Sequence, residues 1–190
     1  GHTMHSILST EHQPFATHSY TIFVAEVAST FNERLLLDSM LEKTKDPKER
    51  IILLEQALGN IVGTYYIQTL FANYEYQAHQ LVERGEAVTP DILSGIMEQL
   101  FKQYFGDTLV FDELQKIIWS RIPHFYHSPY YVYQYATSFA ASANLYKQLK
   151  TNPESVTKYL RLLQSGGNDY PMEQLKKAGA DLSKVESFDA

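Results

Sequence analysis

The clearest fold signal in the chain is the stretch at residues 46–85, DPKERIILLEQALGNIVGTYYIQTLFANYEYQAHQLVERG. Its Asp-Pro-Lys-Glu opening supplies a helix N-cap, a proline at the first helical position and a glutamate at the third. Helical periodicity then continues until Gly85 ends it. We therefore predict one unusually long helix. Gly59 and Gly63 are expected either to bend it or to let another helix approach it closely.

The same periodicity extends outward from this stretch in both directions. No segment alternates with period two for long, and no Asn-Gly or Asp-Gly hairpin turn occurs. The sequence therefore predicts an all-α fold with little or no strand, formed as one helical unit over residues 1–190. Further helices are expected at residues 20–42, 90–106, 112–119, 129–150, 153–166 and 172–178.

Composition narrows the functional class. The chain has 190 residues, of which 44% are hydrophobic and 20% charged, which is typical of a globular domain. Its net charge of −6 argues against a nucleic-acid partner, because binding phosphates needs clustered Lys and Arg. It contains no cysteine, which excludes disulfides and thiolate metal sites. No apolar run reaches membrane-spanning length, so we expect no membrane partner. The absence of cysteine and the excess of acidic over basic residues suit a cytoplasmic location, which we therefore expect.

A cluster of histidines and carboxylates near the N-terminus is the first candidate site. His2 and His5 share a face of a helix at a spacing of three, and Glu26 and Glu33 share a face of the next helix at a spacing of seven. Imidazole nitrogen and carboxylate oxygen are both good zinc ligands. The alternative is that the glutamates are solvated and the histidines pack or face solvent, and composition alone favours this alternative.

Other familiar metal and nucleotide sites are absent from the sequence. A di-iron bundle requires Glu-x-x-His pairs, whereas the nearest candidate, Glu75 and His79, is spaced by four. Neither a phosphate-binding glycine loop nor a Gly-x-Ser-x-Gly nucleophile motif occurs. The spacing thus rules out the di-iron motif, and the missing motifs argue against a nucleotide site and against Ser-His-Asp chemistry.

A tyrosine-rich segment, HFYHSPYYVYQY at residues 124–135, is the second candidate site. Its Ser-Pro pair predicts a helix start at Pro129, which would place Tyr131 and Tyr135 on one face at i and i+4. Phenol donors beside a histidine such as His124 suit an oxyanion or a peptide carbonyl. The alternative, an aromatic packing seam with surface hydroxyls, stays open.

Four segments of the chain, taken in order, look like motifs of one known family. The opening GHTMHS looks like the end of an H-E-x-G-H-x-M-H-S zinc signature, and FVAEVASTFNE looks like a segment that supplies a later zinc ligand. The other two segments are YYVYQYAT and the stretch from LQSGG to LKKAG. The four segments occupy residues 1–6, 23–33, 130–137 and 163–179. Together they resemble the oligoendopeptidase F branch of the thimet-oligopeptidase family of zinc metallopeptidases.

The resemblance implies a role for each candidate residue. His2 would be the second zinc-binding histidine, Glu26 the third protein ligand, and Glu33 a residue that helps to orient the site. Three residues further along the chain would contact the substrate or the tetrahedral intermediate. They are His124, Tyr131 and Tyr135. The implied fold is the C-terminal catalytic part of a larger helical zinc metallopeptidase, and the implied substrates are short unstructured peptides.

The chain lacks the first histidine and the glutamate of the implied signature, because it opens at the glycine before His2. That glutamate would act as the general base. We therefore expect this polypeptide alone to be inactive and expect the missing N-terminal part of the same protein to be its partner. The alternative from another functional class is a non-catalytic helical module that binds peptides in an aromatic groove.

Overall fold

The computed structural model describes residues 1–188, and every regular element among them is helical. This confirms the all-α prediction. None of these helices is long and apolar enough to cross a membrane, and the expected cytoplasmic location stays a prediction. The helices are α1 (His2–His12), α2 (Ile22–Lys43), α3 (Pro47–Ile61), α4 (Ile67–Glu83), α5 (Pro90–Phe105), α6 (Glu113–Lys116), α7 (His124–His127), α8 (Tyr133–Thr151), α9 (Glu154–Gln164) and α10 (Pro171–Ala178).

The chain divides into two compact units. Among the described residues, the first unit comprises residues 1–61 and 134–188. In it, α1 packs against α2 and α9, and α10 packs against α9 and α2. Burial of apolar side chains from these helices is the main source of its stability. Its fully buried core includes Val24, Val27, Ala28, Phe31, Ala141, Leu145, Leu162, Leu163, Leu175 and Ala178.

The second unit is Val62–Tyr133, in which α4 packs against α5. Helix α5 begins where the sequence predicts, because the Thr89 side chain accepts a hydrogen bond from the Ile92 N–H and Pro90 occupies the first turn. The short helix α6 begins with a capping box. The core of this unit consists of Leu70, Phe71, Tyr74, Met97, Leu100, Phe101 and Val132.

The long helix expected from residue 46 to residue 84 is interrupted. A π-helical turn, Val62–Tyr66, separates α3 from α4, and Gly63 lies within it. A π turn inserts one extra residue into the α-helical ladder, so hydrophobic periodicity alone does not reveal it. The turn coincides with the boundary between the two units. The expectation of one unit over residues 1–190, as part of a larger catalytic domain, stays a prediction.

The prediction that a helix begins at Pro129 is wrong. Helix α8 begins at Tyr133, four residues later, because Tyr130 has a left-handed backbone with φ of 58°. Of the residues that precede it, His124–His127 form the short helix α7. Tyr131 therefore precedes the helix that carries Tyr135, and the two do not share a helical face at i and i+4. Tyr131 belongs to the second unit and Tyr135 to the first.

Candidate active site

The first candidate site lies where α1 meets α2. His2 is the first residue of α1 and Glu26 lies on the second turn of α2. The Nε2 atom of His2 is 3.5 Å from Oε2 of Glu26, and the two side chains are 53% and 15% exposed. The structure thus brings together two residues that are 24 positions apart in sequence, with the imidazole facing solvent and the carboxylate largely covered.

Glycine at position 1 allows this close approach. A Cβ added to Gly1 would lie 2.5 Å from the Cα of Ser29 and still closer to the carbonyl oxygen of Ala28. Any larger residue would push the start of α1 away from α2, because both contacts are to backbone atoms that cannot move aside. The glycine therefore helps to place the His2 imidazole beside Glu26.

The Glu26 carboxylate is held by its own helix. Ser29 lies one turn further on, and its Oγ donates a hydrogen bond of 2.8 Å to Glu26 Oε2. Ser29 Oγ also lies 2.9 Å from the carbonyl oxygen of Glu26, to which Thr30 Oγ1 donates at 2.7 Å. In metal sites, hydrogen bonds from neighbouring side chains fix the orientation of a ligating carboxylate in this way.

The geometry of this pair fits two ligands of one zinc ion. Two ligand atoms at about 2.0–2.1 Å from a tetrahedral zinc lie about 3.3 Å apart. The observed separation of 3.5 Å between His2 Nε2 and Glu26 Oε2 is close to that value. A catalytic zinc has three protein ligands, however, and residues 1–188 contain no group of three His, Cys, Asp or Glu side chains arranged to hold a metal. The pair therefore fits part of a site.

His5 is a buried histidine beside this pair. It is 1% exposed, and neither ring nitrogen has a hydrogen-bond partner among residues 1–188. Its ring stacks on Tyr20 with centroids 3.5 Å apart and an interplanar angle of 4°. Burial, and secondarily the charge of His2, lowers the pKa of His5 from 6.5 to about 4. The sequence paired His5 with His2 by spacing but did not predict this burial.

Glu33 lies apart from the pair. It is exposed on α2, about 10.5 Å further along the helix axis than Glu26. It forms no hydrogen bond or ion pair with the residues that the structure describes. Its predicted role in orienting the site stays a prediction.

The second candidate site belongs to the second unit. The His124 and Tyr131 rings stack there, with centroids 4.9 Å apart and an interplanar angle of 18°. Tyr135 lies on α8 in the first unit. The structure thus pairs two of the three predicted substrate-contacting residues within one unit, and the roles of His124, Tyr131 and Tyr135 remain predictions.

A buried glutamate supports this segment, and the sequence analysis did not select it as a site residue. Glu75 is 3% exposed on α4, and its Oε1 accepts a 2.7 Å hydrogen bond from the backbone N–H of Tyr130. Burial raises the pKa of Glu75, while this hydrogen bond and the charges of His79 and His124 oppose the rise. A left-handed backbone costs a non-glycine residue about 1–2 kcal/mol, so Tyr130 needs such support.

A cavity of about 170 Å³ lies beside Glu75 in the second unit. Aromatic and aliphatic side chains form most of its wall, which also includes the polar side chains of Glu75 and His79. The aromatic residues on its wall are Tyr74, Trp119, Phe125 and Tyr126. An apolar pocket with a few polar groups is the usual form of a small-molecule or side-chain binding site.

A family model and individual known proteins that resemble this chain all describe peptidases. The family model described as peptidase family M3 matches residues 1–190. Oligopeptidase PepF of Bacillus subtilis is 44% identical over the whole of this chain, which corresponds to 28% of that protein. An oligoendopeptidase F homolog of Borreliella burgdorferi is 42% identical, again over the whole chain and over 32% of that protein. The chain thus spans about a third of the length of these relatives.

Two solved structures share the fold. A putative peptidase from Chlamydophila abortus superposes with a TM-score of 0.90 at 43% identity, covering 100% of this chain and 32% of that one. Oligoendopeptidase-F from Enterococcus faecium superposes with a TM-score of 0.84 at 39% identity, covering 99% of this chain and 34% of that one. The helical arrangement described above is therefore one that peptidases of this kind adopt.

Proposed function

This chain belongs to peptidase family M3, and from that premise we propose that it supplies part of the active site of a zinc metalloendopeptidase that hydrolyses short oligopeptides. The observation that carries the proposal is the 3.5 Å separation of His2 Nε2 and Glu26 Oε2. In this proposal the two side chains hold one zinc ion, and Ser29 keeps the carboxylate oriented toward it.

A zinc ion held there would lower the pKa of the attacking water and would polarise the substrate carbonyl. The chain itself contributes positioning. Glu26 and His2 fix the metal at the junction of α1 and α2, and His124 and Tyr131 offer donors to the peptide carbonyl as it gains negative charge. Tyr135 is proposed for the same role and Glu33 for orienting the metal site.

The remaining zinc ligand, which would be the first histidine of the signature, and the general base are proposed to come from a further segment of the same protein. Two observations support this: residues 1–188 hold only two candidate ligands at the pair, and the relatives named above are about three times as long as this chain. Loss of a general base alone lowers a rate by about 10²–10⁴-fold. The 190-residue chain by itself is therefore proposed to be inactive, with the remaining polypeptide as its partner.

The test compares zinc content and peptide hydrolysis in the full-length protein and in its Glu26→Gln variant. We expect the variant to lose bound zinc and to lose kcat/KM by about 10²-fold or more. Glu42→Gln is the matched control, because Glu42 is exposed on the same helix, far from His2, and should leave both quantities unchanged. Wild-type turnover and zinc content in Glu26→Gln would remove this residue from the metal site.

A non-catalytic peptide-binding module is the second candidate, and the apolar cavity beside Glu75 is the observation in its favour. It predicts that the full-length protein binds a short peptide equally well with and without a chelator and releases it uncut. The metallopeptidase proposal predicts hydrolysis that a chelator abolishes and zinc restores. One peptide incubated under both conditions separates the two functions.

A further inference from the structure

We propose that Glu75 is a positioning residue for the peptidase reaction, because its buried carboxylate fixes the backbone of the segment that carries His124 and Tyr131. The functional part of this inference rests on the proposed function, whereas the structural part does not. All four residues concerned, Glu75, His124, Tyr130 and Tyr131, belong to the second unit.

The hydrogen bond between Glu75 and Tyr130 connects two distant parts of that unit. Oε1 of Glu75 and the N–H of Tyr130 are 2.7 Å apart, although the residues are 55 positions apart in sequence. A carboxylate that accepts from a backbone N–H forms a short and strong hydrogen bond. Since Glu75 is 3% exposed, water does not replace this donor when the contact breaks.

The residue that donates this hydrogen bond to Glu75 has an unusual backbone conformation. Tyr130 is the single non-glycine residue with positive φ among residues 1–188. A residue persists in this sparsely populated region only when its surroundings require it, and such residues cluster at functional sites. Glu75 meets that requirement through the backbone, and His79, one helical turn later, places its ring 4.8 Å from the Tyr130 ring. Residues at i and i+4 of α4 thus hold Tyr130 at two points.

This conformation sets the direction of the following residue. Tyr131 leaves the turn with its N–H bonded to the carbonyl oxygen of Ser128 at 3.2 Å, and its ring stacks on His124. If Tyr130 had a standard helical φ, α8 would begin earlier in the sequence and the Tyr131 side chain would point in another direction. The Glu75 carboxylate therefore determines where the His124 and Tyr131 stack presents its polar atoms.

Stability alone is a poor explanation for a carboxylate in this place. Removing an ionisable group from water is unfavourable, and apolar side chains of similar volume often replace buried charges without loss of stability. A glutamate at the wall of an apolar cavity is better explained by the specific backbone geometry that it enforces.

The experiment uses the full-length protein with three variants. Glu75→Gln keeps an oxygen that accepts from the Tyr130 N–H, Glu75→Ala removes it, and Gln77→Ala is the control on the same helix. Among residues 1–188, the Gln77 side chain hydrogen-bonds only to the Asn73 side chain of its own helix. We expect Glu75→Ala to lose about 10- to 100-fold in kcat/KM, mainly in kcat, because misplaced catalytic groups have effects of this size. Glu75→Gln should remain within about threefold of the wild type, and Gln77→Ala should match it.

Amide hydrogen exchange at Tyr130 supplies a readout that does not depend on activity. The amide should be protected in the wild type and in Glu75→Gln and should exchange at least tenfold faster in Glu75→Ala. If the wild type cleaves no peptide, the proposed function fails, while this exchange rate still decides whether Glu75 holds the segment.

Two outcomes would overturn the inference: Glu75→Ala with wild-type kinetics and protection, or Glu75→Gln as impaired as Glu75→Ala. Should Glu75→Ala fail to fold, Glu75→Met replaces it, because methionine fills a similar volume without offering a strong acceptor.

Discussion

Acidification should destabilise this chain through His5. The imidazole is buried, and its pKa in the folded chain is about 4 against 6.5 when it is exposed. Between these two values the unfolded chain binds a proton that the folded chain does not. Stability must therefore fall as the pH drops from 6.5 toward 4, and the full contribution is present above pH 6.5.

The size of the effect follows from the two pKa values of His5. At pH 5 nearly all of the unfolded imidazole is protonated, whereas only about a tenth of the folded one is. This difference amounts to about 2 kcal/mol between pH 8 and pH 5 and rises to about 3 kcal/mol near pH 4. A loss of this size is a large fraction of the stability of an ordinary domain.

Urea unfolding followed by circular dichroism at pH 8 and pH 5 measures this loss. Other groups also titrate in this interval, so the quantity of interest is the difference between the wild type and His5→Leu. Leucine fills the buried site without a titratable group, and the variant should lose about 2 kcal/mol less than the wild type over the same interval. His12→Leu, an exposed position on the same helix, should behave as the wild type. Equal losses in the wild type and His5→Leu would refute the reasoning.

Two further predictions concern the pair at the junction of α1 and α2, both measured as zinc affinity by competition with a chelator. Ser29→Ala removes the hydrogen bond to Glu26 Oε2 and should weaken zinc binding by about 10- to 100-fold, and an affinity within twofold of the wild type would contradict that role. Gly1→Ala should also weaken zinc binding, because its Cβ would overlap the backbone of Ala28. Gly59→Ala, where an added Cβ meets no atom within 4 Å, should leave zinc binding unchanged and stabilise the helix by about 0.5–1 kcal/mol.

Local signals in the sequence predict much of the fold. The Thr-Pro pair at residue 89 gives the start of α5, and Gly179, with φ of 114°, follows the last residue of α10. These signals are reliable because caps and left-handed glycines satisfy backbone groups within a few residues. The interruption between α3 and α4 has no such signal, since a π turn preserves the helical appearance of the sequence on both sides.

The second candidate site shows where sequence reasoning fails. The Ser-Pro pair before Tyr130 has the composition of a helix start, yet the helix begins at Tyr133. The competing interaction is the hydrogen bond from the Tyr130 N–H to Glu75, and a contact between residues 55 positions apart leaves no local pattern. Glu75 itself looks like one more polar residue of a long helix, and only its burial distinguishes it.

The first candidate site was predictable only in part. Spacing placed His2 with His5 and Glu26 with Glu33, while the link between His2 and Glu26 came from the family resemblance rather than from any periodicity. The close approach that joins them depends on glycine at position 1 packing on the backbone of α2, which is a tertiary contact. Helical spacing groups residues on one helix and does not say which two helices meet.

The central claim is that His2 and Glu26 bind the same zinc ion. Anomalous diffraction at the zinc absorption edge, on crystals of the full-length protein, tests it most directly. The account predicts a single zinc peak about 2.0–2.2 Å from both His2 Nε2 and Glu26 Oε2. A zinc peak that is bound to neither atom, or these two atoms in direct contact with no zinc between them in zinc-loaded crystals, would contradict it.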